Sequence, residues 1–232
     1  MSTAATIVQM PKAQADRARV QYRTALNTAV PAELIPDGGV VAAAGYLKLR
    51  SWKDEALAKV LGQARQRRCT VGLNVCIPHA VAPDARRFLR LLPEVDVFVP
   101  NEDEARVLTG KQRPAAQARV LREGGARVVV ITRGRQGLYA EDGKCAVQMS
   151  AFTVPLVDPT GCGDCFTAGL IAGLLRGWEV VPLLQFASAV GALGATALGS
   201  TSGVPPFADV ERFVRENKVE VSVKSVPATR PS

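Results

Sequence analysis

Apolar runs typical of strands alternate along most of the chain with segments of helical periodicity. The apolar runs are GVVAAAGY (39–46), TVGLNV (70–75), VDVFV (95–99), ARVVVIT (126–132) and PLV (155–157). The helical segments span residues 51–66, 82–92, 101–110, 162–176, about 180–198 and 207–216. This alternation needs right-handed crossover connections. It predicts an α/β fold with a doubly wound, mainly parallel sheet and helices on both faces.

The two ends of the chain and one internal segment depart from that alternation. GLYAED (137–142) and CAVQMSAFTV (145–154) predict a hairpin. ATIVQM and ARVQYRTA predict a small β piece within residues 1–36, which we interpret as a partial lid. Residues 37–217 then form the α/β core, and residues 218–232 a C-terminal tail.

Composition indicates a globular protein with one substantial core. The chain has 232 residues, of which 47% are hydrophobic and 22% charged. The start, MSTAATIVQM, lacks the charged and then apolar pattern of a secretory leader. The most membrane-like segment, residues 182–199, contains Gln185, Ser188 and Thr196 and is better explained as a buried helix. We therefore expect a cytoplasmic location and no membrane partner.

The cysteines predict packing rather than a disulfide framework. There are five of them, an odd number, in a chain with no predicted leader. Cys162 and Cys165 form a C-x-x-C pair that is also found in zinc and redox sites. A zinc site would need a second pair of ligands, but Cys69 and Cys76 have the wrong spacing, and His79 is the single histidine. We expect most of the cysteines to be reduced, buried thiols.

The positive charge does not predict nucleic-acid binding. The net charge is +8, with basic clusters at 63–68 (QARQRR) and 85–90 (ARRFLR). Such clusters attract anions, including nucleic acid. Neither is interleaved with stacking aromatic residues, and aromatic residues make up only 5% of the chain. We interpret both clusters as solvated helix faces.

One turn carries most of the candidate chemistry: DPTGCGDCF, residues 158–166, which precedes an apolar helix. Gly161 and Gly163 allow successive backbone N–H groups to point the same way, and the helix adds its positive end. Asp164 falls in the first helical turn, where the dipole favours negative charge. A base beside an anion cradle is suited to removing a proton from a hydroxyl that attacks phosphorus. The alternative is a glycine-bearing turn whose aspartate merely caps the helix.

Three motifs together resemble the ribokinase-like (PfkB) carbohydrate kinases. DPTGCGDCF is similar to that family's second signature, in which an Asp and two variable residues precede Gly-Ala-Gly-Asp. NEDE (101–104) resembles its Asn-x-x-Glu motif, and ITRGRQG (131–137) resembles its Thr-x-Gly-x-x-Gly nucleotide loop. The motifs occur in family order, each after a predicted strand, and the resemblance covers about residues 40–215.

The resemblance implies a catalytic group at the turn. Asp164 would be the base that deprotonates the acceptor hydroxyl. The backbone N–H groups of Gly161, Cys162 and Gly163 would stabilise the charge that builds on the γ-phosphate. Cys162 stands where the family usually has alanine, a mild change because the role belongs to the backbone.

The same resemblance implies ATP and Mg²⁺ as cofactors, with a monovalent cation such as K⁺ as a further ligand. Magnesium and phosphates would be contacted, through ordered water, by Asn101 and Glu104. The nucleotide would be lined by Thr132, Gly134 and Gly137, with Ser188 near the adenine in place of a common asparagine. Many family members organise a monovalent-cation loop at the positions of Asp158 and Thr160.

The implied activity is ATP-dependent phosphoryl transfer to a hydroxyl of a sugar or nucleoside. The family's sugar-binding aspartate strand and Gly-Gly-Asn motif have no counterpart in this sequence, and the pair at 38–39 precedes a strand instead of opening a helix. Two alternatives follow: a weak or inactive relative that binds nucleotide or a partner, and a mis-started or fragmentary chain. We expect binding of Mg-ATP with slow turnover unless a second subunit covers the site. The N-terminal β segment is the candidate surface for such a homodimer.

Overall fold

The computed structural model describes residues 6–10, 34–47, 54–77 and 84–226. The strands are β1 (Thr6–Met10), β2 (Val40–Tyr46), β3 (Thr70–Val75), β4 (Val97–Phe98), β5 (Val128–Thr132), β6 (Leu138–Glu141), β7 (Cys145–Met149) and β8 (Val221–Ser225). The α-helices are α1 (Asp54–Gln66), α2 (Ala85–Leu89), α3 (Glu102–Thr109), α4 (Pro114–Glu123), α5 (Cys162–Leu175), α6 (Val180–Gly194) and α7 (Phe207–Glu216). Short 3-10 turns lie at Leu92–Glu94 and Gly134–Gln136.

The described strands form one eight-stranded sheet in which they lie side by side in chain order. β2, β3, β4 and β5 pair in parallel, and β1 pairs antiparallel with β2 at the edge. β6 and β7 are neighbours joined by only residues 142–144, a connection that antiparallel strands alone can have. The predicted α/β class and the predicted hairpin are both confirmed.

The described residues divide into two compact units. The first unit comprises those within 1–131, 139–146 and 224–232, and the second those within 132–138 and 147–223. The motif at 101–104 therefore belongs to the first unit. The motifs at 132–137 and 158–166 belong to the second.

The core of the first unit lies on one face of the parallel strands. Right-handed crossovers between strands that follow in chain order place their helices on a common face. The helices α1 to α4 accordingly share one buried cluster with β2 to β5, which includes Leu57, Leu61, Phe88, Ala105 and Leu121 from the helices and Val41, Leu73, Phe98 and Val129 from the strands. Val40, Ala42 and Val97, which face the other way, are also buried, as expected of a parallel sheet covered on both faces.

The second unit is built on a close contact between α5 and α6. Glycines permit the approach: a Cβ on Gly169 would lie 2.8 Å from Cα of Ala187, and one on Gly191 would lie 3.3 Å from Cβ of Phe166. Next to this pair, Trp178, Phe186 and Phe207 pack ring against ring. α5 ends at Leu175, and Gly177 (φ 65°) follows, as the sequence predicts.

The structure differs from the predicted elements in four places. PLV (155–157) is not a strand, because Pro155 has no N–H to donate and the two apolar side chains are about half exposed. The helix predicted at 82–92 is described only as α2. α4 was not predicted, and residues 221–225, assigned to the tail, form β8.

The remaining predictions of organisation have mixed outcomes. ATIVQM contributes β1, the terminal strand of the described sheet, whereas ARVQYRTA lies outside the described residues. The lid role of residues 1–36 and the homodimer stay predictions. Within the described part of the chain, no helix is long and apolar enough to cross a membrane.

Candidate active site

The signature turn, residues 158–166, begins with a carboxylate that is hydrogen-bonded to backbone N–H groups. Oδ1 of Asp158 accepts a hydrogen bond from the N–H of Thr160 (2.9 Å), and Oδ2 accepts one from the N–H of Gly199 (3.0 Å). These bonds, with one from the Thr160 side chain as the largest influence, hold the pKa of Asp158 below its usual range. The carboxylate is therefore ionised at neutral pH and fixes the start of the turn.

The first glycine of the turn is required by the fold. Gly161 has a left-handed backbone (φ 83°, ψ −2°) and caps the N-terminus of α5. A Cβ at this position would lie 2.5 Å from the carbonyl oxygen of Ser200. Both the conformation and the contact exclude larger residues.

The second glycine of the turn is different. Gly163 is exposed, its φ is not positive, and a Cβ there would meet no atom of the described residues within 4 Å. Asp164 is the next residue, exposed in the first turn of α5. The carboxylate and Gly163 therefore lie together at the solvent-facing start of the helix.

The backbone N–H groups proposed as a cradle are not all equally available. The N–H of Cys162 donates to the carbonyl of Pro159 at 3.3 Å, a long bond within the turn. A ligand oxygen would have to replace that weak partner. The thiol of Cys165 is buried and donates to the carbonyl of Ser200 at 3.2 Å.

The nucleotide-loop motif is a tight turn after β5. The N–H of Arg133 donates to the carbonyl of Gly137 (2.8 Å), and the N–H of Gly137 donates to the carbonyl of Gly134 (3.0 Å). Both glycines have positive φ, 53° for Gly134 and 83° for Gly137. A Cβ on Gly137 would lie 1.9 Å from the Met149 carbonyl oxygen. Thr132, the last residue of β5, is half-buried at the entrance to this turn.

The NEDE motif forms a capping box at the start of α3. Oδ1 of Asn101 accepts from the N–H of Glu104 (2.8 Å), and Oε2 of Glu104 accepts from the N–H of Asn101 (2.9 Å). Oε1 of Glu104 also accepts a long bond (3.4 Å) from the N–H of Ile77. Burial raises the pKa of Glu104, although these N–H donors oppose it. The motif therefore has a structural role whatever else it binds.

A family model decides what the three motifs belong to. The model for "pfkB family carbohydrate kinase" matches residues 4–206. This chain belongs to that family. The family model's match begins at residue 4, whereas the motifs predict a resemblance that begins at about residue 40.

Individual relatives of this PfkB-family chain act on different acceptors, to judge by their names. The chain is 34% identical to cytidine kinase of Thermococcus kodakarensis over 125 residues, which is 53% of this chain and 45% of the relative. It is 31% identical to ribokinase of Haemophilus influenzae over 130 residues, or 53% and 42% of the two chains. The chain thus spans less than half the length of these curated relatives.

A solved structure confirms the ribokinase-like fold. Arabidopsis thaliana ribokinase, complexed with ribose and ATP, superposes with a TM-score of 0.70 at 23% identity. The similarity covers 82% of this chain and 61% of that one. The fold class that the motifs implied is therefore shown.

The structure assigns each predicted site residue of this PfkB-family chain to an element. Ser188 is half-buried on α6, and the other second-unit residues lie in the two turns already described. Sequence reasoning missed Gly199 and Ser200, whose backbones contact the signature turn. The available signal was the run GSTSG (199–203), whose small residues are suited to a loop packed closely on another backbone.

The cysteines give no indication of a metal or a disulfide. All five lie within the described residues as thiols. Only Cys69 and Cys165 are buried and the other three are half-buried, so the prediction that most are buried is wrong. No group of three or more His, Cys, Asp or Glu among the described residues is arranged to hold a metal ion. A magnesium ion held through water would need only one or two carboxylates, so this finding leaves the water-mediated prediction for Asn101 and Glu104 as it was.

We expect Glu104→Gln to change the pH dependence of stability. Because the folded-state pKa of Glu104 is raised, wild-type stability declines as pH rises from the unfolded value, about 4.3, through the folded one. Glutamine keeps the capping oxygen but cannot ionise. Urea unfolding at pH 4 to 7 should show the variant gaining stability relative to wild type as pH rises. Glu102→Gln, in the same first turn of α3, is the control. Parallel stability profiles for wild type and Glu104→Gln would contradict the expectation.

Proposed function

We propose that this PfkB-family chain transfers the γ-phosphoryl group of ATP to a hydroxyl group of a sugar or nucleoside. The family membership supports a kinase, and the names of the relatives supply both acceptor classes. The signature turn contains the two elements that such a transfer needs, a base and a set of backbone donors at a helix N-terminus.

The observation that carries the proposal is Gly163. Glycine has a lower helix propensity than alanine, so an unneeded glycine weakens the start of the helix. Neither the backbone conformation nor the packing of the described residues requires glycine here. The choice is explained when ligand atoms approach the backbone closely, as phosphate oxygens do at glycine-rich turns.

In the proposed reaction, Asp164 accepts the proton of the acceptor hydroxyl as that oxygen attacks phosphorus. The N–H groups of Gly161, Cys162 and Gly163, together with the positive end of α5, stabilise the charge on the transferred group. Bound ATP would supply the γ-phosphoryl group, and ADP would leave as the bond between the γ-phosphorus and the bridging oxygen breaks. Mg²⁺ would neutralise part of the phosphate charge.

The remaining site residues have supporting roles in this proposal. Asn101 and Glu104 would hold magnesium through water, which suits a half-buried carboxylate already engaged with backbone. The nucleotide would lie against Thr132, Gly134, Gly137 and Ser188. Asp158, ionised at neutral pH, would with Thr160 attract a monovalent cation such as K⁺.

Gly163→Ala tests the proposal by calorimetry with Mg-ATP. The added methyl group should leave folding intact or stabilise α5, but it would occupy the approach to the backbone donors. We expect an affinity for Mg-ATP at least about tenfold weaker than that of wild type.

Gly62→Ala is the matched control. Gly62 is also a helical glycine, in α1, whose Cβ would meet no described atom within 4 Å. Gly62→Ala should gain up to about 1 kcal/mol of stability, because its site is in the helix interior, and should bind Mg-ATP like wild type. Equal affinity of wild type and Gly163→Ala, or no binding by wild type, would overturn the proposed function.

A further inference from the structure

The segment that follows α6, residues 195–203, contacts the signature turn and the residue before it through Ala195, Gly199 and Ser200. The carbonyl oxygen of Ala195 accepts hydrogen bonds from the N–H groups of Val157 (2.8 Å) and Asp158 (3.1 Å). Further on, the N–H of Gly199 donates to the Asp158 carboxylate. These bonds fix the residues that enter the turn, but they do not reach its glycines.

The carbonyl of Ser200 reaches the centre of the turn. Its oxygen accepts a hydrogen bond from the S–H of Cys165, and it lies 2.5 Å from the position that a Cβ on Gly161 would take. Gly161 and Cys165 are themselves joined, because the N–H of Cys165 donates to the carbonyl of Gly161 at 2.9 Å. The Ser200 carbonyl therefore contacts Gly161 and Cys165, which flank the N–H groups that would face a phosphate.

The thiol has a fixed place and a fixed protonation state. Cys165 is 3% exposed, and a Cβ on Gly194 would lie 2.9 Å from its sulfur, so the side chain has little room to turn. Burial raises the pKa of Cys165 to about 11, with smaller contributions from Cys162 and Asp164. The sulfur therefore keeps its proton at neutral pH and remains a donor.

We propose that Cys165 is a positioning residue, whose thiol holds Ser200 against Gly161 and so fixes the directions of the N–H groups of residues 161–164. Its consequence for ATP rests on the proposed function. The effect on the backbone of the turn does not. The alternative is a thiol that only fills space.

Hydrogen exchange of the backbone amides tests the positioning directly. In Cys165→Ala, peptides that cover residues 158–166 and 195–203 should exchange faster than in wild type, because the hydrogen bond to Ser200 is lost. Cys165→Ser keeps a donor at the same position and should restore much of the protection.

Cys69→Ala is the matched control for loss of a buried thiol. Cys69 is 5% exposed and donates its S–H to the carbonyl of Pro36 at 3.1 Å, in the first unit. It should cost similar stability and leave exchange in the signature turn unchanged. Unchanged exchange in Cys165→Ala, the same increase in Cys165→Ser, or the same increase in Cys69→Ala would overturn the proposal.

Nucleotide affinities separate this inference from the proposed function. A misdirected cradle should weaken Mg-ATP binding by about fivefold, as expected if about one N–H···phosphate hydrogen bond is weakened, while ADP, which has no γ-phosphate, binds as before. General destabilisation would weaken both nucleotides alike and would contradict the positioning role. If wild type binds no ATP but the exchange results hold, the positioning role stands and the proposed function fails.

Discussion

Asp164→Asn is expected to lower kcat for phosphoryl transfer by at least about 100-fold, with the affinity for Mg-ATP nearly unchanged. Asparagine has almost the same shape as aspartate, but its amide cannot accept the hydroxyl proton. The side chain is exposed at the start of α5, so the substitution should not disturb the core. The measurement is a coupled assay of ADP release with a panel of ribose, fructose, ketodeoxygluconate and cytidine as acceptors, beside calorimetry with Mg-ATP.

Asp209→Asn is the matched control for that experiment. Asp209 is also an acidic residue in the first turn of a second-unit helix, α7, where it pairs with Arg212. The substitution removes the same charge from a helix N-terminus outside the signature turn. Turnover of Asp164→Asn close to that of Asp209→Asn would remove Asp164 from the role of base.

Gly137→Ala is expected to destabilise the fold by about 3 kcal/mol, or roughly 10 °C in Tm. The substitution forces alanine into a positive φ of 83° and brings its Cβ to 1.9 Å from the Met149 carbonyl oxygen. Backbone cannot move aside as a flexible side chain can, so β7 would have to shift. Thermal unfolding followed by circular dichroism gives the result.

Gly134→Ala, in the same turn, is the comparison for that effect. Gly134 also has positive φ, 53°, but its Cβ would meet no described atom within 4 Å. It should cost only the conformational penalty, about 1 kcal/mol. Equal losses from the two substitutions would contradict the larger penalty that the backbone conformation of Gly137 and its contact with β7 predict.

Much of the parallel sheet could be predicted because its signal is local. β3 and β5 are short apolar runs next to segments of helical periodicity, and burial on both faces explains why they do not alternate. The two positive-φ glycines of the nucleotide loop could be predicted for the same reason, since a tight turn selects them from neighbouring residues alone.

The predictions of secondary structure failed mainly where contacts between residues far apart in the sequence decide the local structure. PLV is apolar without being a strand, and the N–H of Val157 finds its partner on Ala195, nearly forty residues later. The valines before Ser225 alternate with polar residues as a strand does, but their exposure makes the pattern equally typical of a tail. α4 had a usable signal that was missed, because Pro114 stands at the first helical position with apolar residues recurring after it.

The site shows the same division. The turn with Asp164 and its glycines could be found from spacing. The contact of Ser200 with Gly161 could not, because the run GSTSG (199–203) indicates a closely packed loop without identifying the backbone that it packs against. The pairing of Asn101 with Glu104 as a capping box was within reach, since a cap residue followed three positions later by Glu is the usual pattern.

The glycine contacts between α5 and α6 also limit how the second unit can move. Helices slide past each other when the side chains between them can repack in more than one arrangement. Where Gly169 lies against the backbone of Ala187, α5 contributes no side chain that could repack. We therefore expect α5 and α6 to move as one body and to carry the turn at residues 158–166 with them.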